Sequence, residues 1–315
     1  VTAARRSYAI IGTGALGGYY GARLHHAGYD VHFLLHSDYE HVCAHGLSVV
    51  SKYGDFSIEK PMVHRSASDL PGCHVAAVCL KTTENHLLRD LLPPVLLPEG
   101  VALMMQNGLD IEADAACIVP DHPVLGGLAF LCSNKTGPGR IEHLDYGAVR
   151  VAEHRPDGGP AGLTPAVRAV AADLERAGVP AILEADLGLA RWKKLVWNVP
   201  YNGLCAIEGC TTDVIMANAC MRARCEAIMR EVVAIADSQG RRIEERFVEA
   251  MLRDTDEMAP YRPSMLLDLE RARPLELEAI YRRPLRAAER AGVACPEIRA
   301  VYERLVEMSD PGRTL

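Results

Sequence analysis

Lysine is scarce in this chain. Only six of the 34 basic residues are lysine, at positions 52, 60, 81, 135, 193 and 194, and the others are arginine. Lysine can release a proton when its surroundings lower its pKa, and arginine effectively cannot. Where arginine is the default cation, Lys81, Lys193 and Lys194 stand out as candidates for chemistry. Paired cysteines are missing too. Ten cysteines occur, none in C-x-x-C, and several lie in apolar runs such as VAAVCLK at 75–81 and GLAFLC at 127–132. That distribution points to buried free thiols in a reducing cytoplasm, with no metal site and no disulfide framework. Basic charge is not in excess, since the formal net charge is −7. Domains that live on nucleic acid are usually strongly basic, so no nucleic-acid partner is expected. No apolar run approaches the ~18 residues that span a bilayer. The opening VTAARRSYAIIGTG has neither a cleavage site nor the apolar run of a secretory signal. A cytoplasmic protein with no membrane partner is the expectation. Internal repeats and low-complexity tracts are absent as well. What remains is an ordinary globular composition, 49% apolar and 24% charged. A length of 315 residues suggests about two domains at ~150 residues each.

The first half alternates strand and helix signals. Apolar strands are predicted at 7–11, 30–35, 75–80 and 101–105, separated by helices at 16–27, 38–44, 84–92 and 109–117. Continuous apolar strands between helices imply a parallel sheet covered on both faces. A hairpin is predicted from 47–50 and 56–58 around Tyr53-Gly54-Asp55. Strands at 124–132, 140–143 and 148–153 read as partly antiparallel. A helix at 165–177 and a last strand at 181–184 close this part. From about Asp186 the spacing of apolar residues becomes helical, as in Ile228, Val232 and Ile235. The helices after Asn218 suit either a core or a homodimer contact. The expected fold is therefore α/β, with an N-terminal doubly wound sheet over 1–185 and an all-helical C-terminal domain over 186–315.

Gly12-Thr13-Gly14-Ala15-Leu16-Gly17 is a G-x-G-x-x-G loop that follows the first strand and opens the first helix, the context that gives this pattern meaning. Gly12 permits the tight turn, Gly14 lets backbone approach a pyrophosphate, and Gly17 lets helix and strand pack closely. The helix N-terminus at Ala15 and Leu16 supplies N–H groups and positive potential. An acid at the tip of the second strand favours NAD and a cation favours NADP. This tip carries His36, which leans towards NADP(H) and leaves NAD(H) open; Asp38, slightly beyond, reads as a cap for the next helix. Lys81 and Asn107 end the strands VAAVCLK and VALMMQN, where ligands bind in open parallel sheets. Lys194, Asn198 and Asn202, spaced i, i+4 and i+8, share one helical stripe. Pro200 is expected to kink or break that helix. Ser264 reads as a helix N-cap. Glu276, just after Pro274, lies near a helix start, where a carboxylate suits the dipole.

Taken together and in order, these segments resemble the ketopantoate reductase family over essentially the whole chain. The family's N-terminal G-x-G-A-x-G is met by GTGALG, its strand-closing lysine by CLKT at Lys81, and its H/Q-N-G turn by QNG at 106–108. Its W-x-K-[LF]-x-x-N-x-x-x-N helix is met by WKKLVWNVPYN, which selects Lys194 over Lys193. Its serine before M-x-x-D is met by SMLLD at Ser264, and its R-P-T-E-[IL] by RPLEL at Glu276. The lysine–asparagine helix and the serine segment are far more specific than the glycine loop.

The resemblance implies a Rossmann domain and a helical domain with a cleft between them. It implies hydride transfer from NADPH to 2-dehydropantoate, giving pantoate for pantothenate synthesis. By the same resemblance, Lys194 is the general acid and Glu276 holds that lysine and the substrate hydroxyl. Asn107, Asn198, Asn202 and Ser264 position the substrate, and Lys81 lies near the nicotinamide. The departures are His36 in place of an arginine, Leu275 in place of threonine, and Thr212 in place of an asparagine found in some members. Tyr281 and Arg282 stand where small residues are usual, and Pro200 interrupts the lysine helix. Two other readings stand beside this one, a related reductase of another 2-keto acid and a non-catalytic dinucleotide sensor. Retention of both Lys194 and Glu276 speaks against the sensor, which needs neither.

Overall fold

In the computed structural model residues 5–309 are described; the first four, part of the stretch read for a secretory signal, and the last six lie outside it. The chain forms two compact units. One comprises residues 5–106 and 111–187, and the other comprises 107–110 and 188–309.

The first unit is built on a ten-stranded mixed sheet. Its strands are β1 Ser7–Ile11, β2 Asp30–Leu34, β3 Leu47–Ser51, β4 Phe56–Ile58, β5 Met62–His64, β6 Cys73–Val78, β7 Leu96–Met104, β8 Val124–Gly137, β9 Arg140–Glu153 and β10 Ala181–Leu183. The order is β4-β3-β9-β8-β7-β6-β1-β2-β5, with β10 also on β9. From β5 through β2, β1, β6 and β7 to β8 every pairing is parallel. The interior strands are apolar along their length because both faces are covered. Tyr8, Ala9, Ile10 and Ile11 are all fully buried. The sheet turns antiparallel only at the long β8–β9 pair and at the β3–β4 hairpin. Where two short strands were expected at 140–153, β9 is one strand, and its register slips around Tyr146 instead of breaking. β5 gave no usable signal: three residues are too short to show a period, and its partner β2 lies 30 residues away in sequence. The stretch 84–92 is tighter than predicted, a 3₁₀ turn Thr82–Leu87 leading into a short helix Leu88–Leu91.

At the start of β1, opposite the end that carries the glycine loop, a buried carboxylate gathers the unit. Asp173, on the helix Pro165–Arg176, accepts from Arg6 Nε (2.6 Å) and Nη2 (2.7 Å), Tyr8 Oη (2.7 Å) and Tyr29 Oη (2.8 Å).

In the second unit no strand occurs among the described residues. Its core is centred on the helices Leu187–Glu208 and Ala219–Ser238. Ile228, Val232 and Ile235 are fully buried there, so the apolar face that suited either a core or a homodimer contact is used by the unit's own core. Pro200 neither breaks nor ends its helix, which runs unbroken from Leu187 to Glu208. Proline removes the N–H that would reach Val196 O, but Leu195 to Ala206 are buried without interruption, and that packing holds the turn. Tyr281, the bulky departure from the family pattern, is also absorbed. It is fully buried, and its hydroxyl donates to Val199 O at 2.8 Å, on the helix that Pro200 occupies. No helix among the described residues is long and apolar enough to cross a membrane.

Candidate active site

The glycine loop can be tested position by position. Gly12 has φ +97°, and a Cβ there would stand 2.8 Å from the Leu80 backbone nitrogen. At Gly17 a Cβ would overlap Gly12 O and approach Cys79 Cβ at 3.0 Å. Both glycines are therefore required by the chain itself. Gly14 is different. Its backbone is extended (φ −84°, ψ −157°), and a Cβ there would meet no protein atom within 4 Å. Neither strain nor packing demands glycine at this position. A ligand approaching the backbone would demand it, and Gly14 is also the N-cap of the helix Ala15–His26, with no side chain capping it. The first-turn N–H groups, at Ala15, Leu16 and Gly17, thus fit a pyrophosphate. The experiment is direct: Gly14→Ala keeps stability within about 1 kcal/mol while dinucleotide affinity, measured by calorimetry, drops at least about tenfold.

Thr13 received no role from sequence. Its hydroxyl donates to Leu34 O at 3.1 Å and ties the loop to the end of β2. Beyond that end, His36 is exposed. Asp38 stands at the N-cap position of the following helix Tyr39–His45, as expected, but its side chain makes no capping hydrogen bond. Its carboxylate pairs with Lys135 Nζ at 2.6 Å and accepts from Gly139 N–H at 3.0 Å. Burial alone raises this carboxyl, but the hydrogen bonds from Lys135 and Gly139 outweigh it and hold Asp38 below the usual carboxylate range. The acid near the tip of β2 is thus already engaged within the protein. Lys81 is half-buried and immediately precedes the 3₁₀ turn Thr82–Leu87.

The remaining candidates fall in the helical unit: Lys194, Asn198, Asn202, Ser264, Glu276 and, less expectedly, Asn107. Sequence placed Asn107 with the sheet because it ends the apolar run VALMMQN, although β7 itself stops at Met104. Residues 107–110 leave with the helical unit because the Leu109 N–H donates to Ala279 O at 2.9 Å. Just before it, buried Gln106 stays with the sheet, its Nε2 donating to Asn85 Oδ1 at 2.7 Å.

On the helix Leu187–Glu208 the two adjacent lysines separate. Lys193 Nζ lies over the Phe247 ring, 5.7 Å from its centroid. Lys194 is half-buried and heads the stripe that continues through the buried Asn198 and Asn202. Trp197, between them, donates from Nε1 to Thr255 Oγ1 at 3.1 Å and lies against Tyr201, which fixes the helix about its axis.

Ser264 is not the N-cap that its sequence suggested. It is the first residue of the helix Ser264–Glu270, Pro263 occupies the cap position, and no local side chain caps that end. Instead Asn202 Oδ1 accepts the Met265 N–H at 3.4 Å. A side chain from one helix therefore takes an orphan donor of another. Glu276 is only 4% exposed, a buried carboxylate just ahead of a π-helical turn, Glu278–Arg282. Thr212, where an asparagine was considered, is fully buried, and its hydroxyl accepts the Tyr261 N–H at 3.2 Å. It serves packing. Among the described residues no group of three or more His, Cys, Asp or Glu side chains could hold a metal ion, and all ten cysteines are free.

The family model for ketopantoate reductase PanE/ApbA matches residues 8–156, and that for the ketopantoate reductase PanE/ApbA C terminus matches 186–309. A 2-dehydropantoate 2-reductase from Nostoc sp. is 48% identical over 98% of this chain and 97% of its own. The crystal structure of 2-dehydropantoate 2-reductase from Geobacter metallireducens superimposes with a TM-score of 0.89 at 39% identity, covering 96% of this chain and 99% of that one. That from Methylococcus capsulatus gives 0.87 at 34% identity, covering 98% and 99%.

Proposed function

The chain belongs to the ketopantoate reductase family, and from that premise we propose that it reduces 2-dehydropantoate to pantoate with NADPH, supplying pantothenate synthesis. The observation that carries the reading is 48% identity with the Nostoc reductase over 98% of the chain, with the lysine–asparagine stripe kept on a buried helix.

A reduced nicotinamide supplies the hydride that the ketone carbon accepts. The residues of this chain do the rest. The glycine loop holds the pyrophosphate against Gly14 and the helix that follows. Lys194 donates a proton to the ketone oxygen as it becomes an alkoxide, and its positive charge stabilises that oxygen before the proton moves. Glu276, buried, holds the ammonium group and accepts from a substrate hydroxyl. Asn107, Asn198 and Ser264 orient the keto acid. Asn202 acts in part through Ser264, because its Oδ1 secures the turn that Ser264 opens. Lys81 lies beside the nicotinamide in this reading.

NADPH is favoured over NADH because the acid near the tip of β2 is occupied by Lys135 and Gly139, leaving only the uncharged Ser37 and the ionisable His36 exposed there. A carboxylate in its place repels a 2′-phosphate and suits ribose hydroxyls. His36→Glu therefore lowers kcat/KM for NADPH about tenfold or more, with that for NADH held or raised. Steady-state kinetics with both cofactors measure this.

The deciding experiment follows NADPH and NADH oxidation with 2-dehydropantoate and a panel of other 2-keto acids. Turnover with 2-dehydropantoate, lost in Lys194→Ala, supports the reading. Turnover confined to another acid keeps the mechanism and changes the substrate. Tight NADPH binding without turnover of any acid overturns it and leaves a dinucleotide sensor.

A further inference from the structure

The loop that carries Asn107 is held to the helical unit by a device that the sequence does not announce. A π-helical turn spans Glu278–Arg282, and the Arg283 N–H reaches back five residues to Glu278 O. In the same register the next donor would belong to residue 284 and would reach Ala279 O. Residue 284 is proline, which has no N–H. Ala279 O is thereby left for another donor, and the Leu109 N–H takes it at 2.9 Å. The Leu109 carbonyl is held as well, because Arg283 Nη1 donates to it at 2.9 Å. One residue of the loop is thus bonded on both sides by neighbours of a single turn. The approach is close. Gly108 has φ +111°, and a Cβ there would overlap the Ala279 side chain and backbone, so glycine is needed both for its conformation and for its size. Glu276 stands at the head of the same turn, its carbonyl accepting the Ile280 N–H at 3.2 Å.

We propose that the π turn with Pro284 is a docking device for the Asn107 loop and that Arg283 is a positioning residue for Asn107. It makes Asn107 a part of the helical unit that also carries Lys194 and Glu276, although Asn107 directly follows Gln106, three residues past the end of β7. This inference rests on the reading that Asn107 contacts the keto acid. π turns recur at functional sites because the extra residue frees backbone groups for other partners, and here the freed carbonyl and its partner are identified.

The test uses the full chain and two readouts. Hydrogen exchange at the Leu109 amide reports the tether without substrate. In Arg283→Gln that amide exchanges faster than in the wild type, and the same holds in Pro284→Ala, where a restored N–H competes for Ala279 O. Kinetics report the positioning. KM for the keto acid that is turned over rises about tenfold in Arg283→Gln, while the dissociation constant for NADPH stays within about twofold because Arg283 and the glycine loop belong to different units. Arg283→Lys recovers part of the loss. In an Asn107→Ala background, Arg283→Gln adds nothing further to KM, an outcome that general loss of packing does not produce. Unchanged exchange at Leu109 overturns the tether. Faster exchange with unchanged KM, or additive effects with Asn107→Ala, overturns the positioning role. If the wild type turns over no keto acid, the proposed reaction fails, and the Leu109 exchange alone decides whether the docking device exists.

Discussion

Replacing Lys194 with alanine lowers kcat for 2-dehydropantoate by about 10²–10⁴-fold, the range for removal of a positioned general acid. NADPH binding is unchanged, because the glycine loop lies in the other unit. The neighbouring lysine is the control. Lys193 is engaged over the Phe247 ring, so Lys193→Ala costs about 1 kcal/mol of stability at most and leaves kcat within about threefold. Lys194→Arg separates the two parts of the role. Arginine keeps the positive charge but does not release a proton in this range, so it restores electrostatic stabilisation of the alkoxide and not the proton transfer. A kcat for Lys194→Arg close to that of the wild type, measured by steady-state NADPH oxidation, makes the residue an anchor for charge rather than the acid. A kcat for Lys194→Ala close to wild type removes it from the mechanism.

Asp173→Ala destabilises the protein by about 3 kcal/mol or more, the loss seen when one partner of a buried ion pair is removed. The carboxylate is 1% exposed, while the Arg6 side chain is 33% exposed, so solvent softens the cost at Arg6. The two tyrosines add to it. The hydroxyls of Tyr8 and Tyr29, bonded to Asp173 at 2.7 and 2.8 Å, lose their acceptor in buried residues, which costs about 1–3 kcal/mol for each group left unsatisfied. Thermal unfolding shifts down by roughly 6–12 °C, at ~2–4 °C per kcal/mol for a unit of this size. Tyr8→Phe removes one hydroxyl and leaves the carboxylate paired, so it costs only about 1 kcal/mol. The network ties the start of β1 to the helix Pro165–Arg176 and lies at the end of β1 away from the glycine loop. Well below the transition Asp173→Ala therefore keeps its cofactor affinity. A shift of less than about 2 °C would show that the unfolded chain or bound water satisfies these groups nearly as well.

How much of this was legible beforehand follows from range. The glycine loop declared itself because strand, turn and helix are contiguous there. The stripe of Lys194, Asn198 and Asn202 declared itself because helical geometry alone puts those positions in line. The change from alternating strands and helices to helices alone marked a boundary near Asp186, and the compact units divide after Leu187. The misreadings share one cause, which is a partner far along the chain. Pro200 was expected to kink or break its helix on local grounds; the helix runs on through it, because burial from Leu195 to Ala206 outweighs the lost hydrogen bond. Ser264 has the composition of an N-cap, yet the orphan donor at Met265 is taken by Asn202, 63 residues earlier. Asp38 occupies an N-cap position, yet its carboxylate pairs with Lys135 on β8 instead of capping. Tyr281 looked like an intrusion and instead packs against the lysine helix through Val199 O.

The sequence by itself determined the fold class and the strand–turn–helix setting of the glycine loop, because those signals are local; Lys194 as the candidate proton donor comes from the family resemblance and is tested by its replacement. The tertiary structure alone decided which unit holds Asn107, how Ser264 is seated and what Pro200 and Tyr281 do. Those outcomes depend on which distant group reaches a freed N–H or carbonyl first, and local propensity carries no record of that competition.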